Sequence, residues 1–416
     1  MTGPVADPSA LARRFEAVRA ATERLVSPLS AEDQTPQSMP DASPVKWHRA
    51  HTTWFFETFV LEKAHAPFDA TYRVLFNSYY NTVGEQYTRA DRGLLTRPGV
   101  SEVAAYRAHV DERILDLLTH DALSDGALGV VELGLHHEQQ HQELIVTDVK
   151  HLFGRNPGHP VYRPRPAAAP APAVGSRWFG VEGGLHEIGH AGEGFHFDNE
   201  APRHSVHLRD FELSTRLSTN GDWIEFIEDD GYSRSELWLS DGWAALRERG
   251  WEAPLYWVRR DGVWHQYTLS GLLPVDPNEP VTHVSAYEVD AFASWAEARL
   301  PTEAEWETVA HDLPPNGHFA DSERFHPGAA AESGGVDQLF GDVWEWTRSA
   351  YAPYPGFQIA EGALGEYNGK FMANQWVLRG GSCATPPAHV RSTYRNFFYP
   401  DARWQFSGVR LARDRH

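Results

Sequence analysis

His137 and His141 stand four residues apart in a segment where Leu133, Leu144, Ile145 and Val146 mark an apolar helix. Residues i and i+4 of an α-helix project within about 40° of each other, so the two imidazoles reach toward one point, as ligands of a shared metal ion do. With the residues between them, His137-Glu138-Gln139-Gln140-His141 also fits the H-E-x-x-H pattern of zinc peptidases, where the glutamate is the general base. That class usually takes its third ligand downstream. Here the candidate third histidine, His51, lies upstream in Trp47-His48-Arg49-Ala50-His51, on what reads as a second helix, and a bundle core brings two such helices face to face. Gln140, Gln142 and Glu143 stand beside the expected site as polar partners. His48 reads as an exposed or capping residue, and His136, rotated about 100° from His137, faces elsewhere. Three neutral imidazoles leave coordination positions open on an ion, yet imidazole suits zinc, copper, iron and nickel alike, so the donors do not name the metal.

The helices that must position these residues have recognisable starts and stops. Asp7-Pro8 supplies an N-cap and a first-turn proline for a helix to about Leu25, and Ser43-Pro44 repeats the device for one from Val45 to about Leu61. Ser101 and Glu102 open a third, along which Tyr106, Val110, Ile114, Leu117 and Leu118 recur at three- and four-residue spacing. A fourth runs from about Leu128 to Phe153 and stops at Gly154. Four long helices with one extended crossover, residues 66–100, predict a bundle over residues 1–155. Residues 156–174, with Pro164-Arg165-Pro166-Ala167-Ala168-Ala169-Pro170, lack an apolar period and read as a Pro/Ala-rich linker. Over residues 175–416 glycine, tryptophan and short alternations replace long helices, with few exceptions such as Ser285 to about Ala298; this predicts a loop-rich α+β domain anchored by buried aromatics.

A chain of 416 residues is long enough for two cores. Its formal charge of -20, from 57 acidic and 37 basic residues, opposes binding to phosphate backbones, so nucleic acid is not an expected partner. No run approaches the roughly 18 apolar residues of a membrane span, and the N-terminus lacks the basic and apolar regions of a secretory signal. A cytoplasmic protein acting on small molecules, without a membrane partner, is the expectation. Cys383 is the only cysteine, which rules out an intrachain disulfide and a cysteine-based zinc cluster, so any metal must be held by His, Asp or Glu.

Two segments, Ser43-Pro44-Val45-Lys46-Trp47-His48-Arg49-Ala50-His51-Thr52-Thr53-Trp54-Phe55-Phe56-Glu57 and His136-His137-Glu138-Gln139-Gln140-His141-Gln142-Glu143-Leu144, closely resemble the N-terminal domain of ergothioneine sulfoxide synthases, a DinB-like four-helix bundle. The second half resembles the formylglycine-generating-enzyme-like domain, a C-type-lectin-like fold, through Leu300-Pro301-Thr302-Glu303-Ala304-Glu305-Trp306-Glu307, Gly341-Asp342-Val343-Trp344-Glu345-Trp346-Thr347 and Leu378-Arg379-Gly380-Gly381-Ser382. The resemblance implies iron(II) (Fe2+) at His51, His137 and His141, near the boundary of two domains. It also implies an O2-dependent reaction that joins a thiol sulfur to the imidazole ring of hercynine, the trimethylated betaine of histidine, and oxidises that sulfur to a sulfoxide. The family's glutamine that contacts the acceptor imidazole falls on Gln140, and its C-terminal asparagine on Asn396. Phe397 and Trp404 offer aromatic faces to a trimethylammonium group.

One departure bears on the donor. In family members that use γ-glutamylcysteine the asparagine is followed by Trp-Asp and, later, by an arginine, whereas Phe397, Phe398 and Ala402 stand here. Phe76-Asn77-Ser78-Tyr79-Tyr80-Asn81 is similar instead to the subfamily that accepts free cysteine and places active-site tyrosines in this crossover. Tyr80, with Tyr79 beside it, is therefore the expected source of a proton or hydrogen atom, and Arg89 and Arg92 the expected partners of the donor's carboxylate. Selenoneine synthase, which joins a selenosugar to hercynine, shares the architecture, and residue spacing does not separate selenium from sulfur. Cys383 alone does not make the cysteine pair of copper-binding formylglycine formers, so that activity is not expected of the second domain.

Overall fold

The computed structural model describes residues 7–62, 65–165, 173–331, 334–359, 365 and 368–415. These residues form two compact units, the first drawn from Met1–Pro157, Gly192–Phe195 and Ile359–Gly369, the second from Gly158–Ala191, His196–Gln358 and Lys370–His416. The middle of the predicted linker, residues 166–172, lies outside the described residues. Its start packs with the second unit, where the backbone N–H groups of Tyr162 and Arg163 both donate to Leu269 O.

In the first unit α1 (Pro8–Val26) starts at Asp7, whose carboxylate accepts from the N–H groups of Ser9 and Ala10. α2 (Val45–Phe56) continues into a π-helical turn over Glu57–Leu61, so the predicted helix has its expected length but changes pitch in its last turn. Ser43 is not its cap as the Ser-Pro pattern predicted. The N-cap position is Pro44, and Ser43 instead bonds to Asp148 through its backbone N–H and to Arg92 through its hydroxyl. The crossover holds the short α3 (Tyr72–Leu75) and a 3-10 turn at Arg89–Leu94. α4 (Val100–Thr119) and α5 (Asp125–Gly154) complete the bundle, in which α1 and α2 each pack on α4 and α5.

All residues of α2 are buried, as expected of a helix that lines a core on every side. Trp47, Ala50, Trp54, Phe55 and Phe56 join Leu11, Phe15, Val110, Ile114, Val131 and Leu135 in one apolar cluster. Each fully buried Phe or Leu side chain there contributes about 1.5–3 kcal/mol. Gly134 sets how closely the two ligand-bearing helices approach, because a Cβ there would lie 2.5 Å from the Phe56 ring and 3.0 Å from that of Phe55. It precedes His137 by one turn.

The second unit is built from short strands. β1 (Trp178–Val181), β4 (Phe211–Ser214) and β12 (Ala412–Asp414) make one antiparallel sheet, and β2 (Gly184–Ile188) pairs with β3 (His204–Leu208). β5 (Trp257–Arg260), β6 (Val263–Thr268) and β7 (Gly271–Pro274) form a meander. β8 (Trp344–Ala350), β9 (Trp376–Arg379), β10 (Asn396–Phe398) and β11 (Ser407–Gly408) form a fourth sheet in the order β10-β9-β8-β11, with only β11·β8 parallel. The predicted helix near Ser285 is α8 (Ala286–Trp295), but α6 (Asn220–Glu228), α7 (Ser240–Arg249) and α9 (Glu303–Ala310) were not predicted. They span only two to three turns, too short to show a periodic face. Buried ion pairs hold this loop-rich unit together: Arg410 with Glu345, and Arg395 with Glu303. Gly341, at φ 79°, lets the chain pass where a Cβ would lie 2.4 Å from His318 O. Among the described residues no helix is long and apolar enough to cross a membrane.

Candidate metal centre

His51 comes from the middle of α2, and His137 and His141 from successive turns of α5. Their ring centroids lie 4.8–5.0 Å from His51 and 4.6 Å from each other, and one nitrogen from each falls within 4.8 Å of the others. All three are buried. Aromatic neighbours limit ring rotation: His51 stacks on Trp47 at 4.6 Å and on Trp54 at 5.7 Å, and Phe55 lies 4.9 Å from His137.

The donor set fits a metal ion. His51 Nδ1 lies 2.6 Å from the carbonyl oxygen of Phe76, which can only accept, so Nδ1 carries the hydrogen. Its Nε2 keeps the lone pair, buried and without a hydrogen-bond partner among the described residues. A buried acceptor left unmatched is costly, and a cation removes that cost. Asn77, fully buried, ties the crossover into the shape that presents Phe76 O, through bonds to the backbone of Tyr80 and Gly84.

Burial and neighbouring imidazoles push His51 and His141 well below the ordinary histidine range, and burial takes His137 down to about 3. The rings are neutral at physiological pH, the form that binds metals. Unfolded, such rings titrate near 6.5. Below that pH the unfolded chain takes up protons that the folded, metal-free chain refuses. The metal-free protein is therefore expected to lose up to about 1.4 kcal/mol per pH unit through His137 alone between about pH 6.5 and 3, and nothing by this route above pH 7. Urea denaturation of metal-free protein at pH 8, 6 and 5 checks this, and a constant stability over that range would contradict it.

Glu138 does not face the histidines. It is fully buried, with Oε2 accepting from Arg19 at 2.7 Å and Oε1 from Arg107 at 2.9 Å and Thr22 at 2.6 Å. Burial alone would raise its pKa, but Arg107 and Arg19 hold it down to about 2. A carboxylate so occupied is no general base, so the match to the zinc-peptidase pattern has no chemistry behind it. Gln142 likewise turns to α1, donating to Val18 O and Thr22 Oγ1. His136 stacks on Phe195 at 3.8 Å, off the ligand face as expected.

The expectation for His48 is corrected. Far from exposed, it is buried between His141 and Asp148. The i, i+3 spacing of His48 and His51, and the i, i+7 spacing of His141 and Asp148, place these groups on the ligand faces, a signal present in the sequence.

The two crossover arginines part company. Arg89 is exposed and donates to Asp41 O. Arg92 is 3% exposed, donates to the hydroxyls of Ser43 and Ser78, and lies 3.4 Å over the Trp47 ring, the same ring that stacks on His51. No carboxylate pairs with it among the described residues, and burial, with the charge of Arg89, lowers its pKa to about 9. Tyr80 is buried against Trp54 and Phe59, and Tyr79 is half-buried beside it. Gln140 is half-buried on α5. In the second unit Asn396 and Phe397 lie on β10; Asn396 Oδ1 accepts from Phe397 N, and the Phe397 ring stacks on Tyr351 at 4.0 Å. One face of that ring is therefore taken. Trp404 meets Phe398 edge-on.

Residues 14–145 match the family described as the DinB superfamily, and residues 168–334 and 313–415 match the sulfatase-modifying factor enzyme 1-like domain. The chain is 34% identical to the hercynine oxygenase of Mycolicibacterium smegmatis over 435 residues, covering 97% of this chain and 98% of that one. It is 32% identical to the hercynine oxygenase of Mycobacterium tuberculosis, over 98% of this chain and 99% of that one. Its similarity to the formylglycine-generating enzyme of Streptomyces coelicolor is 28% identity, over 61% of this chain and 96% of that one.

Proposed function

The chain belongs to the ergothioneine sulfoxide synthase family, that of the hercynine oxygenases, and on that premise we propose that it joins the sulfur of cysteine to the imidazole ring of hercynine with O2 as oxidant. The observation that carries the reading is the convergence of His51, His137 and His141 as buried neutral imidazoles with no acidic ligand among them. Iron(II) held there would supply redox chemistry with O2, which zinc cannot. The balance is simple: hercynine gives up a ring hydrogen and the thiol its hydrogen, one oxygen atom ends on sulfur, and the other leaves as water.

The chain's own residues bind and orient. Arg92 holds the donor's carboxylate by charge-assisted hydrogen bonds, and Trp47, touching both Arg92 and His51, sets the donor's place relative to the metal ligands. A buried guanidinium with no carboxylate in ion-pair contact among the described residues favours cysteine over a selenosugar. Gln140 keeps the role of hydrogen-bonding hercynine, and a phenol of Tyr80 or Tyr79 that of supplying a proton.

Iron-loaded protein supplied with hercynine, O2 and either cysteine, γ-glutamylcysteine or a selenosugar is expected to yield a cysteine adduct carrying one added oxygen, identified by mass. Arg92→Ala should raise the KM for cysteine roughly 10- to 100-fold. A selenium-containing product with no cysteine turnover would reassign the donor, and no consumption of hercynine with any donor would end the reading.

A further inference from the structure

We propose that His48 and Asp148 form a positioning relay for the metal centre, holding His141 in the tautomer that offers Nε2 to the ion and strengthening it as a donor. His48 lies on α2 one turn before His51, and Asp148 on α5 two turns after His141, so helical spacing puts both on the faces that carry the ligands. His48 Nδ1 is 2.8 Å from His141 Nδ1, and His48 Nε2 is 3.0 Å from Asp148 Oδ2. An ionised carboxylate only accepts, so His48 Nε2 carries a hydrogen and, in the neutral ring, Nδ1 is an acceptor. The hydrogen between the two rings therefore belongs to His141 Nδ1, and the lone pair of His141 is on Nε2.

The surroundings of Asp148 say what the relay is for. Its carboxylate is 5% exposed, receives the Ser43 backbone N–H at 2.8 Å, and has no lysine or arginine partner among the described residues. Oδ1 has no hydrogen-bond partner among the described residues. Arg92, bonded to the Ser43 hydroxyl, acts on it only from a distance, so this buried carboxylate has no cation in ion-pair contact, which is unfavourable by itself. A divalent ion at the far end of two hydrogen-bonded rings supplies the missing positive charge, and in return the carboxylate makes the His141 ring a better electron donor. His51 has only the neutral carbonyl of Phe76 behind it, so the two ligands are electronically unequal. Through Ser43, whose hydroxyl accepts from Arg92 at 2.9 Å, the relay also touches the residue assigned to the donor's carboxylate.

The inference rests on His141 being a metal ligand and on nothing about which metal or substrate. Cobalt(II) added to the metal-stripped full-length protein is the probe: competition with a chelator measures affinity, and the visible absorption bands report ligand geometry. Asp148→Asn and His48→Gln are each expected to weaken cobalt binding about 10- to 100-fold and to shift the bands, while metal-free Asp148→Asn melts as the wild type does. If His48→Gln does not fold, the near-isosteric Asp148→Asn decides alone. Wild-type affinity and bands in Asp148→Asn, whatever its melting temperature, would overturn the relay and leave the three-histidine centre standing. A wild-type protein that binds no cobalt, or binding that survives His141→Ala, would overturn both.

Discussion

Alanine at His51, His137 or His141 is expected to abolish stoichiometric metal binding and to bring hercynine turnover to background. Each ring supplies one of three donors in a site where no carboxylate stands by as a substitute, the ligand cluster among the described residues being these histidines alone. Water is a poor replacement, because the rings are packed against Trp47, Trp54 and Phe55. The variants should nevertheless fold, since each substitution removes a neutral ring and leaves no unpaired charge behind. Metal content after reconstitution, read beside the melting curve of metal-free wild type, separates the two effects. His136→Ala is the control: its ring stacks on Phe195, away from the ligand face, so metal content should be unchanged. One full equivalent of metal retained in any of the three ligand variants would remove that residue from the centre.

The second large effect is on stability. Glu138→Gln is expected to destabilise the metal-free protein by about 3–5 kcal/mol, the range for breaking a buried ion pair from one side. The carboxylate of Glu138 is fully buried between two guanidiniums, Arg19 and Arg107, each at most 5% exposed at the side chain. Glutamine keeps the volume but withdraws the negative charge, leaving two buried cations that share only Asp111 at 2.7 Å from Arg19 and the half-exposed Glu23 at 2.8 Å from Arg107. Because α1, α4 and α5 all contribute to this cluster, its loss loosens the bundle that holds the histidines. Urea denaturation of the metal-free variant gives the number directly. A hydrolase general base would behave in the opposite way, losing activity with stability intact, and that pattern would restore the zinc-peptidase reading.

Much of the site was legible because helical geometry is local. The i, i+4 spacing of His137 and His141, the cap at Asp7 and the stop at Gly154 depend on a few neighbouring residues, and the helices follow them closely. The upstream position of His51 needed one further step, that two apolar helices of a bundle share a core. Of the short helices of the second unit only α8 was anticipated; α6, α7 and α9 escaped because eight to ten residues rarely establish a period.

The direction of each polar side chain was a different matter. His48 read as exposed or capping and is buried; Arg89 and Arg92, three residues apart, read alike and have opposite surroundings; Glu138, which completes an H-E-x-x-H pattern, is an internal counter-ion. The sequence by itself determined which residue types stand at helical spacing, and so which imidazoles converge. Only the tertiary structure decided which charges are paired, since pairing and burial depend on groups a hundred or more residues away, such as Arg19 for Glu138 and Asp148 for His48. In a medium that screens charge poorly those distant partners determine protonation, and protonation determines what each residue does.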